Sequence, residues 1–307
     1  MNFEKRGLAL KKKIIFLFLF GMMSLIASSA ASAAELIGGP DLAVLVNGRK
    51  VKFSDAKPYM DNGRVMVPIR NVAEKLGAKV TWNATTRTAG FTLADRSVDI
   101  QVGADKVYVN GAAKTIDAKA VEKNGSVYVP LRFISLGLGV ALEWDQIGNW
   151  AWIGEKVIPT MEEAGIKPVP IAPYKKLFQG GEPFLMKNEY EQLYSTISIL
   201  TIDQLPIRAG RLIYYDIWPV TNGKQEYMRA RTSQEMMGIY YLSSQFEAKY
   251  RGSMRYYMKN NSDGTKILTY RVPFVDDEFM IKLNQIEYIG IEMFDKESAS
   301  IMLNPFK

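Results

Sequence analysis

The sequence predicts an α+β fold in two parts: a duplicated β-β-α-β-β module, then a mostly antiparallel α+β domain. Three observations support this prediction. One series of turn, strand and helix signals occurs twice within residues 42–154. A proline-rich segment, residues 158–173, then breaks the pattern and is interpreted as a semi-extended linker. Beyond it, residues 174–307 hold 13 of the 16 tyrosines and three pairs of strand-like runs.

Residues 1–34 are typical of a secretory signal peptide. Met1–Lys13 is basic, Ile14–Ile26 is apolar, and Ala27–Ala34 contains only Ala and Ser. The apolar run is shorter than the roughly 20 residues that span a bilayer, so we expect cleavage, with retention as a membrane anchor as the alternative. We therefore expect a secreted or cell-surface protein of a Gram-positive-type bacterium, with no membrane span after cleavage. The predicted domains are a signal peptide at 1–34, a duplicated module at 40–157, a linker at 158–173 and a Tyr-rich domain at 174–307.

The composition excludes several classes of chemistry. The chain has no cysteine and no histidine, which rules out disulfides, thiol nucleophiles, Ser-His-Asp triads and zinc sites built on these ligands. The formal net charge is +7, and removal of the N-terminal segment leaves about +3. This charge is too small to indicate nucleic-acid binding. We expect no cofactor and no metal.

The repeat in residues 42–154 is defined by matching landmarks. The first copy contains Val46-Asn47-Gly48, then Asn62-Gly63-Arg64-Val65-Met66-Val67-Pro68-Ile69-Arg70, then Leu76-Gly77 and Trp82-Asn83. The second contains Val109-Asn110-Gly111, then Asn124-Gly125-Ser126-Val127-Tyr128-Val129-Pro130-Leu131-Arg132, then Leu138-Gly139 and Trp144-Asp145. From the second Asn-Gly onward, every landmark is displaced by 62 positions. Such self-similarity predicts an internal duplication.

Each landmark has a physical interpretation. Asn-Gly predicts a tight hairpin turn, because both residues tolerate positive φ. The Val-x-Val runs predict short strands, each ended by a Pro that has no N–H to donate. The next residues, 71–76 and 133–138, predict short helices that end at Gly77 and Gly139. A strand with one Trp follows each helix. Since a unit of about 50 residues buries little surface alone, we expect the two copies to share one core.

These residues resemble the stalk domain family, also called the copper amine oxidase-like N-terminal domain. The resemblance covers about residues 42–154 and rests on the Asn-Gly, Val-x-Val-Pro, Leu-Gly and Trp landmarks of both copies. It implies a non-catalytic module of exported and cell-surface proteins, used for spacing, surface attachment and dimer contacts, so a homodimer through this module is one implied arrangement. The family name also evokes copper amine oxidation, which is excluded here because the chain has no histidine.

Arg70 and Arg132 occupy equivalent positions in the two copies. The favoured interpretation is structural, with each arginine bound to a backbone carbonyl or a nearby Asp, and carboxylate binding is the alternative. For the tryptophans of the module, core packing is favoured over a sugar-binding platform. The alternation in Trp150-Ala151-Trp152 places two of these rings on one face.

The second part shows three hairpin patterns. The runs 211–220 and 225–231 flank an Asn-Gly turn, 254–259 and 266–272 flank a polar turn, and 287–294 precedes 299–303. Two helices are also predicted, at Ser233–Tyr250 and Lys187–Tyr194.

A basic, Tyr-rich stretch between residues 229 and 271 is the candidate ligand-binding region. It carries a net charge of +5, and residues 276–297 carry −5. One interpretation is a surface for an anionic polymer, and the favoured one is complementary charge on neighbouring strands. The candidate ligand-binding residues are Arg229, Arg231, Arg251, Arg255, Tyr256, Tyr257 and Arg271.

No catalytic residue is assigned, so the sequence predicts a non-enzymatic envelope protein. The duplicated module would tether or dimerise it, and the Tyr-rich domain would bind a cell-wall polymer or an envelope protein. The alternative is a carboxylate-based hydrolase of an envelope polysaccharide or peptide, for which Asp276-Asp277-Glu278 is the acidic candidate. A solvated acidic turn is the favoured interpretation of that triplet.

Overall fold

The computed structural model describes residues 35–180, 187, 192–236, 238–273, 280–291 and 298–307. The predicted signal peptide and the Asp276-Asp277-Glu278 triplet lie outside these residues. Of the described chain, Ile37–Lys307 form one compact unit. We call residues 37–157 the first half and residues 158–307 the second half.

The first half is built from thirteen short strands and two helices. The helices are α1 (Ile69–Lys75) and α2 (Leu131–Leu138). The strands are β1 (Ala43–Val46), β2 (Arg49–Lys50), β3 (Tyr59–Asp61), β4 (Arg64–Pro68), β5 (Lys79–Asn83), β6 (Thr88–Leu93), β7 (Arg96–Gln101), β8 (Lys106–Val109), β9 (Ala112–Thr115), β10 (Val121–Lys123), β11 (Ser126–Pro130), β12 (Leu142–Asp145) and β13 (Trp150–Ile153). Three sheets result, with strand orders β12-β13-β1-β2, β10-β11-β4-β3 and β5-β6-β7-β8-β9.

Local chemistry explains the boundaries of these elements. The Asn and Gly of the four Asn-Gly turns in the first half all have positive φ, as in Asn62 (46°) and Gly63 (74°), which confirms the turn prediction there. Strands β4 and β11 end at their prolines, and each helix follows at once, two residues earlier than predicted. Helix α2 ends at Gly139 in the left-handed conformation, φ 68°.

One buried apolar cluster joins the three sheets and both helices of the first half. It includes Val67 of β4, Val129 of β11, Phe91 of β6 and Ile153 of β13. The order strand-strand-helix-strand-strand occurs at residues 59–93 and again at 121–153. Strands β4 and β11 pair antiparallel, so residues of both regions lie next to each other over this cluster.

Two sheets form the second half. The strands are β14 (Val169–Pro170), β15 (Thr196–Leu200), β16 (Ile207–Ala209), β17 (Leu212–Thr221), β18 (Glu226–Thr232), β19 (Gly238–Leu242), β20 (Lys249–Gly252), β21 (Lys259–Asn260), β22 (Lys266–Arg271), β23 (Tyr288–Ile291) and β24 (Ala299–Leu303). Their orders are β16-β17-β18-β22-β21 and β14-β15-β24-β23-β19-β20. A buried cluster drawn from both sheets lies between them, and the 3-10 helix Ala172–Phe178 packs on the other face of the six-stranded sheet.

The first hairpin prediction is confirmed, since β17 pairs antiparallel with β18. The second is confirmed only in part, because β22 pairs with the two residues of β21 while residues 255–257 of the predicted strand form a 3-10 turn. In the third, β23 pairs antiparallel with β24 over the described residues. The residues predicted as a linker lie against this half, since Ile166 is buried in its core and Val169–Pro170 pairs with β15.

The predicted helix Ser233–Tyr250 is wrong. Residues 238–242 form β19 instead, and residues 249–250 begin β20, which pairs antiparallel with β19. Every residue of β19 is buried, because the strand lies between β23 and β20 and has apolar layers on both faces. A strand buried on both faces loses the alternation that marks a strand in sequence, so its apolar run resembles a helix. Of the second predicted helix, only Lys187 and 192–194 are described, and Lys187 pairs with Leu193 in an antiparallel bridge.

Regular α-helix is therefore confined to the first half, as far as the described residues show, and the second half contains sheets and 3-10 turns. The fold is rich in antiparallel sheet and has few helices, which agrees with the predicted α+β class.

Candidate functional site

The contact between the two halves is aromatic. Trp150 and Trp152 alternate along β13 and point the same way, with ring centroids 5.8 Å apart, as predicted. Both are buried together with Leu45 of β1, and Tyr215 of β17 packs against this group. Strand β17 of the second half thereby contacts β1 and β13 of the first half.

Arg231 lies at the centre of this contact and is one of the predicted ligand-binding residues. Its guanidinium donates to Asp145 Oδ2 at 2.6 Å and to Asp263 Oδ2 at 2.5 Å. The side chains of Arg231 and Asp145 are only 2% and 7% exposed. The guanidinium also lies 4.8 Å from the ring centroid of Tyr215. A buried charge must be paired, so Arg231 joins the two halves and is not free to bind a ligand.

Asp145 is positioned by its own turn. Its Oδ1 accepts hydrogen bonds from the N–H groups of Ile147 and Gly148, both at 3.0 Å. The residue 62 positions earlier is Asn83, which makes the corresponding turn contacts with the N–H groups of Thr85 and Thr86. The first copy has the neutral Asn83 at this landmark, so only the second copy places a carboxylate here to pair with Arg231.

The partner carboxylate Asp263 is held ionised. Burial opposes its charge, but hydrogen bonds from the hydroxyl and N–H of Thr265, together with Arg231, outweigh that effect and lower the pKa of Asp263. The arrangement is a buried cation between two carboxylates.

A second ion pair crosses the same contact. Lys50 Nζ lies 2.9 Å from Asp216 Oδ1 and 5.1 Å from the ring centroid of Trp150. Burial raises the pKa of Asp216, and the Lys50 ammonium opposes this shift. Both pairs are satisfied within the protein, so the chemistry of this contact is structural.

Other predicted arginines also lie in the interior. Arg251 is buried, donates to the carbonyl oxygens of Tyr250 and Val272, and lies 5.6 Å from the ring centroid of Tyr241. Arg229 is buried and donates to Thr269 Oγ1 at 3.3 Å, and burial lowers its pKa. Arg271, the last residue of β22, is half-buried.

The three remaining predicted residues form a single exposed 3-10 turn, Arg255–Tyr257. Tyr256 is 69% exposed and meets Tyr257 edge-on with ring centroids 5.2 Å apart. Tyr257 in turn packs on Tyr227 at 6.0 Å. The turn is fixed to β22, because Met254 N–H donates to the carbonyl oxygen of Thr269 at 2.8 Å. Thus the structure does not bring the seven predicted residues together, and only three of them form a common surface feature, the Arg255–Tyr257 turn.

A cleft of about 590 Å³ was not predicted. It is lined from both halves by residues that are remote in sequence: Arg49, Lys50, Val51, Lys52, Asn71, Glu74, Lys75, Pro159, Ala164, Asp203 and Gln204. Its cations are largely engaged, Lys50 with Asp216 and Lys52 with Asp203 at 3.4 Å. No local motif connects these segments, so sequence reasoning had no signal for this cleft.

Two further kinds of feature concern metal binding and membrane spanning. Within residues 35–307, apart from the gaps given above, no three Asp or Glu side chains are grouped to hold a metal ion. Over the same residues, no helix has the length and apolar character needed to cross a bilayer.

The module prediction agrees with comparison to known families. Residues 45–151 match the family model described as copper amine oxidase N-terminal domain, which confirms the resemblance drawn from the landmarks; the family is non-catalytic. The chain is also similar to a protein named "Protease inhibitor" from Brevibacillus choshinensis, with 29% identity over 194 residues. That match covers 60% of this chain and 54% of the relative, so the chain spans about half of the relative's length.

Proposed function

We propose that this protein is a non-catalytic, exported binding protein. Its first half is a duplicated stalk-like module that presents the second half at the cell envelope. The second half binds another protein through the Arg255–Tyr257 turn. The signal-peptide pattern of residues 1–34 supports export, and the family match at residues 45–151 supports a non-catalytic first half.

The exposed turn is the observation that carries the proposal. Arginine and tyrosine dominate the energetics of protein interfaces, because they provide large contact areas and hydrogen bonds at low entropic cost. Here they occur consecutively and Tyr256 is mostly exposed. The turn is held against β22 and Tyr227, so little ordering would be needed on binding.

The relative named as a protease inhibitor suggests the class of partner. We propose that the partner is an extracellular peptidase, bound without cleavage of this chain. A fixed, exposed turn suits such a role, since rigid segments bind without losing conformational freedom.

The proposal is tested with purified subtilisin, trypsin and thermolysin acting on a fluorogenic casein. We expect the protein to inhibit at least one of them, and Tyr256→Ala to weaken that inhibition roughly tenfold or more. Tyr108→Ala is the matched control, because Tyr108 is another exposed tyrosine, on β8 of the first half.

Two results would reject parts of this proposal. Inhibition that is unchanged in Tyr256→Ala would exclude the turn as the contact. Absence of both inhibition and a complex on size-exclusion chromatography with all three peptidases would exclude a peptidase partner of these classes.

A further inference from the structure

The first half contains two grooves whose linings repeat position by position. The first groove, about 170 Å³, is lined by Pro68, Arg70 and Trp82 of the first copy and by Glu122, Gly125 and Ser126 of the second. The second groove, about 260 Å³, is lined by the equivalent residues with the copies exchanged: Pro130, Arg132 and Trp144 of the second copy and Met60, Gly63 and Arg64 of the first. Every residue of the second groove lies 62 positions from a residue of the first.

Strand pairing accounts for this repetition. In the β4–β11 ladder, Val67 pairs with Val129, the residue 62 positions later, and Tyr128 pairs with Pro68. An antiparallel pair of equivalent residues has a local two-fold axis between the strands. Each groove consequently takes its Pro-x-Arg and Trp from one copy and its Gly turn from the other, so neither copy forms a groove alone.

Each groove presents a tryptophan to solvent. Trp82 and Trp144 are 39% and 42% exposed, which corrects the prediction that they pack in the core. They lie on β5 and β12, each of which is the edge strand of its sheet. Trp150 and Trp152, by contrast, are buried. Two indoles left exposed at equivalent positions leave apolar area in water, which favours contact with another molecule.

An arginine accompanies each exposed indole, and the two copies differ in how it is paired. In the second groove, Arg132 contacts the carboxylate of Asp117, which also binds Arg64 at 3.0 Å. The equivalent of Asp117 is Asp55, which accepts a hydrogen bond from Ser54 instead. For Arg70, no hydrogen bond or ion pair is found among the described residues. The second copy therefore has a carboxylate paired with its arginine, whereas among the described residues no carboxylate pairs with Arg70.

We propose that the two grooves bind an acidic polysaccharide, one sugar unit in each groove. In both grooves the apolar face of the sugar ring packs on the indole. In the first groove the carboxylate of a uronate-type unit pairs with the Arg70 guanidinium, a geometry that suits arginine, whereas Arg132 of the second groove is already paired with Asp117. The grooves are smaller than the roughly 300–1,000 Å³ of sites for drug-sized ligands, which fits single sugar rings. A site that occurs twice matches a ligand that repeats the same unit, whereas the side chains of a folded protein do not repeat in this way.

This inference goes beyond the proposed protein contact, because the grooves lie on other strands than the Arg255–Tyr257 turn. It assigns a second binding activity to the first half.

The test is calorimetric titration of the full protein with hexagalacturonate at about 0.15 M salt, where long-range charge effects are screened. Two probes separate ring from charge: maltohexaose has rings without carboxylates, and hexa-L-glutamate has carboxylates without rings. We expect binding of hexagalacturonate, none of maltohexaose, and at least roughly tenfold weaker binding of hexaglutamate.

Variants locate the site. We expect Trp82→Ala and Arg70→Gln each to weaken binding roughly tenfold, and Arg132→Gln to have a smaller effect, because Arg132 already holds Asp117. Tyr108→Ala is the control for an exposed aromatic outside the grooves. Circular dichroism and thermal unfolding confirm that each variant is folded.

Three outcomes would overturn the proposal. They are no binding of hexagalacturonate, equal or tighter binding of hexaglutamate, or unchanged binding in a folded variant that lacks both Trp82 and Trp144. The second outcome would indicate a peptide or a general polyanion as the ligand. Peptidase inhibition by these variants is expected to match the wild type, so failure here is distinguishable from failure of the proposed protein contact.

Discussion

Replacing Arg231 by Met is expected to destabilise the protein more than any nearby single charge removal. Met retains most of the aliphatic packing but removes the guanidinium that contacts Asp145 and Asp263. Asp145 is nearly inaccessible and would be left as a buried carboxylate without a cation. Breaking a buried pair in this way costs about 3–5 kcal/mol. Asp263 is 38% exposed, so water compensates for most of its loss.

The measurement is urea unfolding at neutral pH followed by tryptophan fluorescence, which reports on Trp150 beside Arg231. Arg229→Met is the matched control. Arg229 lies two residues away on β18 and donates to Thr269, but it contacts no carboxylate among the described residues. Its replacement is expected to cost about 1 kcal/mol, the value of one hydrogen bond.

A double variant tests the cause of the effect. Adding Asp145→Asn to Arg231→Met removes the unpaired charge and keeps an oxygen for the N–H groups of Ile147 and Gly148. We expect it to recover part of the lost stability. The reasoning is refuted if Arg231→Met costs no more than Arg229→Met, or if Asp145→Asn worsens the loss.

Three further predictions follow from the geometry. Gly48→Ala is expected to lower the free energy of unfolding, measured by thermal unfolding, by more than about 3 kcal/mol, because its Cβ would lie 1.5 Å from the Val157 carbonyl oxygen. Gly111→Ala, at the matching turn, has no atom within 4 Å of its Cβ and is expected to cost only about 1 kcal/mol for its positive φ. Equal losses in the two variants would contradict this prediction. Burial raises the pKa of Tyr214 and Tyr241, so their contribution to stability is complete below the unfolded-state pKa of about 10 and is lost as pH rises through the folded-state pKa. Ultraviolet titration should show these two tyrosines ionising only as the protein unfolds. Ionisation of all tyrosines in the folded protein would refute this prediction. Trp82→Phe should lower the iodide-quenched fraction of tryptophan fluorescence by about half, since it removes one of two exposed indoles; an unchanged fraction would show that this indole is covered.

The sequence predicted those parts of the fold whose conformation depends on residues that are close together in the chain. The Asn-Gly turns, the strands that end at Pro68 and Pro130, and the β17–β18 hairpin all depend on backbone preferences within a few residues. The helix predicted at 233–250 failed because burial on both faces of β19 erased the local signal.

The candidate site was only partly predictable for a related reason. Sequence composition drew attention to the arginines and tyrosines of residues 229–271, but it could not separate exposed from buried ones. Arg231 is buried because it meets Asp145, 86 residues away, whereas Tyr256 is exposed because its turn projects from β22. Such differences depend on long-range packing, which no local pattern encodes.

By itself, the sequence determined that the chain has no thiol or imidazole chemistry, that one series of landmarks occurs twice in its first half, and where its Asn-Gly turns and several of its strands lie. Those features depend on residue type and on contacts between near neighbours. Only the tertiary structure decided which tryptophans are buried, which arginines are paired, and that the repeat creates two matching grooves. Those features depend on which distant segments meet, and thus on the cost of burying charge and the gain from burying apolar area across the whole fold.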